Sequence, residues 1–323
     1  MGEKATIFQG VQIGKETTPG TGVAASKKLL SMSMQPLPRT EGSSFRALGN
    51  KYPSFVVLNK EWAEIGIDGK LTYNEILYAL ASLLSEPAPA QQGVTTAYKW
   101  TFTGNLASED AGKTFTIEQG DVNSAWRVVG ARVSGLTFTF NRNEVGVKGS
   151  GVANSLETGI TLTAAPTSMT PKPILPSQVS FKTATTQAGL AGATALTRGF
   201  SMEWALTDKV GLAWPVGQNP VVVETEPKNS GKLKLATDTT GMGLVTTMRS
   251  GATQWFQIKA TGALIASTYY YDFQLDFPAQ IESLSDPSDE SGIYALEYGL
   301  TPVYDSAWGK AFQIDVITDT QTL

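Results

Sequence analysis

Apolar residues recur at helical spacing in only one stretch of this chain. Over Leu71–Ser85, LTYNEILYALASLLS, the residues Tyr73, Ile76, Leu77, Leu80, Leu83 and Leu84 fall on one stripe. Thr72 followed by Glu75 has capping-box spacing, and Pro87 and Pro89 stop the run. The pattern predicts a helix over 72–85 laid against a sheet, with Asn74, Glu75, Ser82 and Ser85 on its other face. Nearly everything else alternates like β-structure. Strand signals fall at Leu29–Met34, Phe55–Asn59, Trp62–Ile67, Tyr98–Thr103, Thr114–Glu118, Trp126–Val133, Leu136–Phe140 and Glu144–Lys148. They resume at Gln178–Lys182, Phe200–Leu206, Gly211–Trp214, Val221–Thr225, Leu233–Leu235, Trp255–Ala260, Tyr269–Phe273, Ile293–Tyr298 and Phe312–Ile317. In LTFTF, Leu136, Phe138 and Phe140 alternate with Thr137 and Thr139, which predicts one core face and one polar face.

The segments between these runs suggest the organisation. Residues 1–28 are polar and Gly/Thr-rich, with little to bury, and read as an N-terminal arm. Arg39–Lys51 reads as a long polar loop, Asp68-Gly69 as a turn into the helix, and Glu86–Thr95 as a linker. Thr163–Pro176 holds Pro166, Pro171, Pro173 and Pro176 and is the best domain boundary. The expectation is a mainly β chain: an arm at 1–28, a β domain at 29–165 with helix 72–85, a Pro-rich connector at 166–176 and a second β domain at 177–323.

The two halves also resemble each other in order. Leu30–Met34 matches Phe200–Trp204, and Ser54–Leu58 matches Asn219–Val223. Gly69–Leu71 then matches Gly231–Leu233, and Ala97–Trp100 matches Ala252–Trp255. The counterpart of the helix, Thr237–Ser250, contains Gly241 and Gly243, each costing up to ~1 kcal/mol in a helix, so the helix is clear only in the first half.

Composition removes whole classes of chemistry. With no Cys and no His, disulfides, thiol nucleophiles, zinc fingers and Ser–His–Asp machinery are absent. A net charge of −4 speaks against a protein that grips phosphates through a basic face. MGEKATIFQG has no apolar run of signal length, and no stretch approaches the ~20 apolar residues of a membrane helix, so a soluble chain made in the cytoplasm is expected.

Three clusters hint at chemistry, and each has a plainer reading. The carboxylates Glu282, Asp286, Asp289 and Glu290 match no calcium-loop spacing and sit among Pro287, Ser288 and Gly292, as a solvated loop does. Gly146, Gly149 and Gly151 lack the rest of a phosphate-binding pattern and suit a bent hairpin. Ser26 beside Lys27 and Lys28 lies in the arm, a poor place for preorganised catalysis. Trp62, Trp100, Trp204 and Trp255 lie in strand-like runs and are expected in the core. No catalytic, cofactor-binding or metal residue is assigned, and no enzyme activity or cofactor is expected.

The segment Val11–Thr21, VQIGKETTPGT, resembles the N-terminus of major tail tube proteins of long-tailed, siphovirus-type bacteriophages. The likeness continues through the LLSMSM run, Phe55–Trp62 (FVVLNKEW) and Gly69–Leu84, covering the first third well and the rest only in layout. It implies tube-type β-sandwich or barrel domains flanked by a helix. Such domains form homo-oligomeric rings that stack into a virion tail tube, the conduit for DNA ejection, without specific DNA binding. Tape measure, tail terminator and tail tip proteins are the implied partners, and a tail without a contractile sheath is expected. Tandem domains suggest a ring of three chains with pseudo-sixfold symmetry; the alternative is a hexamer with one half decorating the outside. From other classes, a carbohydrate-binding or adhesin module at a tail tip or cell surface and a carboxylate-only hydrolase remain as readings.

Overall fold

The predicted helix is present but shorter, and it is buried all round. Helix α1 spans Ile76–Leu83, and Leu77, Leu80 and Leu83 are fully buried. The structure, a computed structural model, describes residues 9–121, 124–217 and 220–323. Only half of the capping box forms: Thr72 Oγ1 accepts from Glu75 N at 3.2 Å. The Glu75 carboxylate reaches across instead and accepts from Leu30 N (2.8 Å), Ser31 N (3.0 Å) and Met32 N (3.1 Å). The polar face opposite the apolar stripe is a set of ties. Asn74 Nδ2 donates to Thr170 O, and Lys172 N donates to Asn74 Oδ1. Ser82 Oγ accepts from Val133 N, and Ser85 Oγ donates to Asp110. A polar stripe on a helix thus marks connections here rather than water, because each group finds a partner.

Strands occupy 55% of the chain and helices 9%, so the protein is mainly β. Strand β1 (Gly10–Lys15) pairs with β2 (Lys27–Leu29). Strands β3 (Met32–Phe45) and β4 (Phe55–Lys70) form a long hairpin before α1. After the helix come β5 (Ala90–Gln91), β6 (Tyr98–Phe102), β7 (Phe115–Gly120), the bent β8 (Ala125–Asn141), β9 (Val145–Ala153), β10 (Ser155–Ile160) and β11 (Thr167–Ser168). Then follow β12 (Val179–Ala184), the short α2 (Gly189–Gly192), β13 (Gly199–Thr207), β14 (Val210–Ala213), β15 (Val221–Glu224) and β16 (Lys228–Ala236). Helix α3 (Thr239–Ser250) precedes β17 (Gln254–Ala266), β18 (Tyr269–Leu284), β19 (Ser288–Glu290), β20 (Ile293–Pro302) and β21 (Gln313–Thr318).

Several expectations are corrected. The segment read as an arm contains β1, which pairs with both β2 and β7 and buries Val11 and Ile13; residues 1–8 lie outside the described residues. The Arg39–Lys51 loop is largely strand, since Arg39 through Phe45 pair with Trp62 through Phe55. Asp68-Gly69 is not a turn but the end of β4, opposite Ser33 and Met32. A Cβ on Gly69 would sit 2.4 Å from Ser31 O, so this glycine serves a close backbone approach. Trp100, Trp204 and Trp255 are buried, whereas Trp62 is half-buried, edge-on to Trp214 at the root of the long hairpin.

The halves share one sheet and one core. Strand β8 pairs with β13, the C-terminal β21 pairs with β6, and one apolar cluster runs from Val11 to Val316. The Pro-rich connector is seated on the helix start, with Ile174 N donating to Leu71 O (3.0 Å) and Tyr73 N to Lys172 O (2.9 Å).

The internal repeat is present at the level of topology. The order β3–β4–β9–β8 recurs as β13–β16–β20–β18, with a helix after the second strand each time. Even the irregularity recurs, between Val133 and Gly135 in the first unit and between Ile281 and Ser283 in the second. Pairing fixes the equivalences: Met34–Ile67–Gly149–Leu136 across one unit corresponds to Met202–Leu233–Tyr298–Leu284 across the other.

The sequence matches are therefore slipped. Met34, not Met32, corresponds to Met202, and Ile67, not Leu71, to Leu233. Slips by even numbers leave an alternating pattern unchanged, so the pattern alone does not reveal them. The counterpart of β17 is β7, which hairpins with β8 as β17 does with β18, rather than β6. Asn219 lies outside the described residues, and Val221–Val223 belong to β15 in the small β14–β15 hairpin, where Val221 corresponds to Phe55 of β4 rather than to Val56.

The second helix is well formed. The Asp238 carboxylate accepts from Thr240 N and Gly241 N, both at 3.0 Å, and Gly251 closes the helix at φ 66°. Gly241 is required by packing: a Cβ there would lie 2.3 Å from Ala236 O.

Candidate assembly surface

The broad outer face of the paired sheet is polar, as the LTFTF pattern predicts. Leu136, Phe138 and Phe140 are fully buried, and Phe138 stacks on Trp204 with centroids 5.8 Å apart. Thr137 and Thr139 lie on the other face, opposite Lys148 and Gly146 on one side and Ala205 and Glu203 on the other. Directly opposed residues share a face, so that face also carries Asp68, Lys148, Glu203, Lys232, Lys234 and Glu297. It is charge-balanced, with Lys148, Lys232 and Lys234 against Asp68, Glu203 and Glu297. Lys70 lies 3.0 Å from Glu144 and Lys232 lies 3.9 Å from Glu297, while Lys234 pairs with Glu290.

Two unpaired edges bound this sheet. Strand β3 pairs only with β4 among the described residues. Ser31 O accepts from Lys70 N, so the odd-numbered backbone groups at the start of β3 face β4 and those of Met34, Pro36 and Pro38 face outward. Both prolines thus sit where no donor is needed toward β4. A groove beside this edge is lined by Gln35, Pro36, Leu37, Gln119, Gly120 and Trp126. The other edge is Leu284–Glu290, paired only with β20 among the described residues. Ser285 N donates to Glu297 O, which leaves the backbone groups of Leu284 and Asp286 facing outward; the register against β20 then shifts by one residue, so that Ser288, opposite Ala295, faces β20 and Asp289 faces outward.

The outer half of the β3–β4 hairpin projects beyond the core. Phe45, Phe55, Val56, Val57 and Leu58 are each at least half exposed, with the Phe45 and Phe55 rings stacked at 4.9 Å. A two-stranded ribbon of this kind is at best marginally stable alone, and exposed apolar residues along it mark a contact surface. Its counterpart in the second half, the β14–β15 hairpin, is folded onto the body. Lys209 N donates to Ser134 O, and the Lys209 ammonium, almost fully buried, lies 2.7 Å from Asp110 and pairs with Glu224.

The clusters weighed for chemistry fall in structural roles. Glu290 pairs with Lys234, and the Asp289 carboxylate accepts from Gly292 N at 2.8 Å. Asp286 is on the free edge. Among the described residues no group of three or more carboxylates is placed to hold a metal ion. Gly149 and Gly151 lie in β9, where a Cβ would meet Gly135 O at 2.5 Å and Arg132 O at 2.8 Å, so they serve the bend of the β8–β9 hairpin. Ser26 is tied to Ile13 O through its backbone N–H at 3.0 Å. Sequence reasoning missed Lys209 and Glu75. A single Lys or Glu carries no local sign of burial.

A second polar face, across β17, β18, β21 and β6, titrates. Burial pushes the carboxyls of Asp272 and Asp276 above the usual range; hydrogen bonds from Thr261 and from Gln257 and Gln274, with Lys259 nearby, offset part of this, and the Asp315 charge adds to it. Lys99 also faces this cluster, 2.9 Å from Asp315. An acid with a raised folded value contributes stability that is full below its unfolded pKa and lost as pH rises through the folded one. Asp276→Asn should therefore gain on the unsubstituted chain as pH rises from about 4 to about 8, read from urea unfolding at each pH. A difference independent of pH would contradict this.

No known family model matches the chain, and no curated protein is similar to it. Among the described residues, no helix is long and apolar enough to cross a membrane.

Proposed function

We propose that this chain is a structural protein that joins copies of itself into a closed ring, and that the rings stack into the tail tube of a long-tailed bacteriophage. The observation that carries this reading is the repeated strand order, with β8 of the first unit paired to β13 of the second. A chain whose halves join edge to edge, and whose two ends keep the matching edges free, extends its sheet by adding copies head to tail. Such contacts give a ring when the rotation closes, and closure removes the exposed edges.

The stagger suits closure. The paired row starting at Met34 passes through Ile67, Gly149 and Leu136 and arrives at Leu206, the equivalent of Pro38. That is an advance of about four residues over four strands; with a rise of ~3.3 Å per residue and ~4.8 Å between strands the tilt is roughly 35°, as closed barrels require. Three chains would supply about 24 strands and a barrel roughly 45 Å across between backbones, wide enough for a DNA duplex. A charge-balanced wall offers phosphates no net attraction, which suits passage without specific binding. A virion location, and tape measure, terminator and tip proteins as partners, rest on the resemblance at residues 11–21 and the segments after it.

We assign ring-to-ring bridging to the exposed hairpin, which includes Arg39–Phe45. Excising residues 40–61 and joining Arg39 to Trp62 through Asn-Gly should leave a folded, ring-forming protein that builds no tubes in negative-stain micrographs. Tubes of ordinary length from this variant would remove the hairpin from stacking.

A further inference from the structure

We infer that the contact between copies repeats the β8–β13 junction: the edge Leu284–Glu290 of one chain pairs, antiparallel, with β3 of the next over Ser33–Pro38. This rests on the ring-forming reading and names its interface. The equivalences already drawn make Leu284 correspond to Leu136 and Met34 to Met202. Within the chain, Phe140 opposes Met202, Phe138 opposes Trp204 and Leu136 opposes Leu206. Transposed, Leu284 opposes Pro38 and Asp286 opposes Pro36; the edge then carries one extra residue, since Glu290 and Ile293 close its hairpin as Asn141 and Glu144 close the first, and this brings Asp289 opposite Met34.

The hydrogen-bonding groups agree with this register. Asn141 N donates to Glu144 O, so the odd residues of β8 face β9 and the even ones face β13. Leu284, Asp286 and, past the one-residue shift, Asp289 are likewise the outward-facing residues of their edge, as Met34, Pro36 and Pro38 are of theirs. Asp289 and Met34 exchange two bonds. Asp286 N and Leu284 N donate to the carbonyls of Pro36 and Pro38. The prolines return no N–H, and at Asp286 the acceptor left over is already met, since Ser285 Oγ donates to Asp286 O at 3.0 Å. Pro287 lies at the one-residue shift between Ser285 and Ser288, outside the pairs of the new ladder. The prolines on β3 then act as selectors. They discourage arbitrary strands, which would bring carbonyls needing donors, and admit one whose carbonyl is internally satisfied.

The test is a disulfide in a chain that has no cysteine of its own. The junction pair Thr137–Ala205 faces without hydrogen bonds between its members, the closer kind of antiparallel pair. Its transposed counterpart is Ser285 with Leu37, both exposed. Leu37→Cys/Ser285→Cys, oxidised after assembly, should give a covalent ladder ending at a closed species and collapsing on reduction. Thr137→Cys/Ala205→Cys should close within one chain and give no ladder. In the unsubstituted protein, assembly should slow hydrogen exchange at the amides of Leu284, Asp286 and Asp289, a reading that needs no variant. Rings without the cross-link and without that protection overturn this interface while leaving the ring reading intact. A cross-linked closed species that never forms tubes supports the interface and removes the tail tube. A chain that stays monomeric overturns both.

Discussion

Lys209→Ala should destabilise the protein by roughly 3–5 kcal/mol, the loss expected when one partner of a buried ion cluster is removed. Its ammonium is 4% exposed and holds Asp110, whose side chain is fully buried, together with Glu224. Glu224 also accepts from Asp110 N at 2.7 Å, and Arg132 Nη2 donates to Asp110 O at 2.8 Å, so the cluster fastens the 104–113 loop, β14–β15 and β8 together. Without the lysine, two carboxylates remain in a place water does not reach. Replacing all three by apolar residues of similar volume should recover most of the loss, because the cost lies in the unpaired charges rather than in the absent attraction. Urea unfolding of the single and triple variants checks both statements. A single variant within about 1 kcal/mol of the unsubstituted chain would mean the cluster is wet.

The second large effect lies in α1. Leu77→Ala or Leu80→Ala should each cost roughly 2–5 kcal/mol, since both side chains are fully buried and the helix is enclosed on every side. The upper part of the range is expected, because elements tied down through Glu75, Asn74 and Ser82 have little freedom to collapse into the void. Near-neutral unfolding data for both would place the helix elsewhere.

What was legible in the sequence followed the length scale of each signal. The mainly β class and the burial of Leu136, Phe138 and Phe140 come from local alternation and are read directly. The extent of β1 and of the β3–β4 hairpin was hidden because their polar, Gly- and Pro-bearing residues have low strand propensity, which pairing overrides: β1 lies between β2 and β7, and β3 follows β4 along its length. The repeat was visible as an order of elements, but its register was not, since even slips preserve alternation. Gly241 and Gly69 misled for one reason: each glycine answers to a neighbouring backbone, at Ala236 and Ser31, that the sequence does not reveal. The assembly edges were the least legible. The acidic run around Asp286 looked like a solvated loop, and only the pairing of Leu284 with Tyr298 and of Ser288 with Ala295 makes it the continuation of a strand.

The central claim is that one chain supplies two equivalent positions around a ring, and native mass measurement on isolated rings tests it most directly. Three copies of the 34.4 kDa chain are expected. Rings of six copies would contradict the account, because twelve four-strand units would then have to share one wall, or one half of each chain would lie outside it.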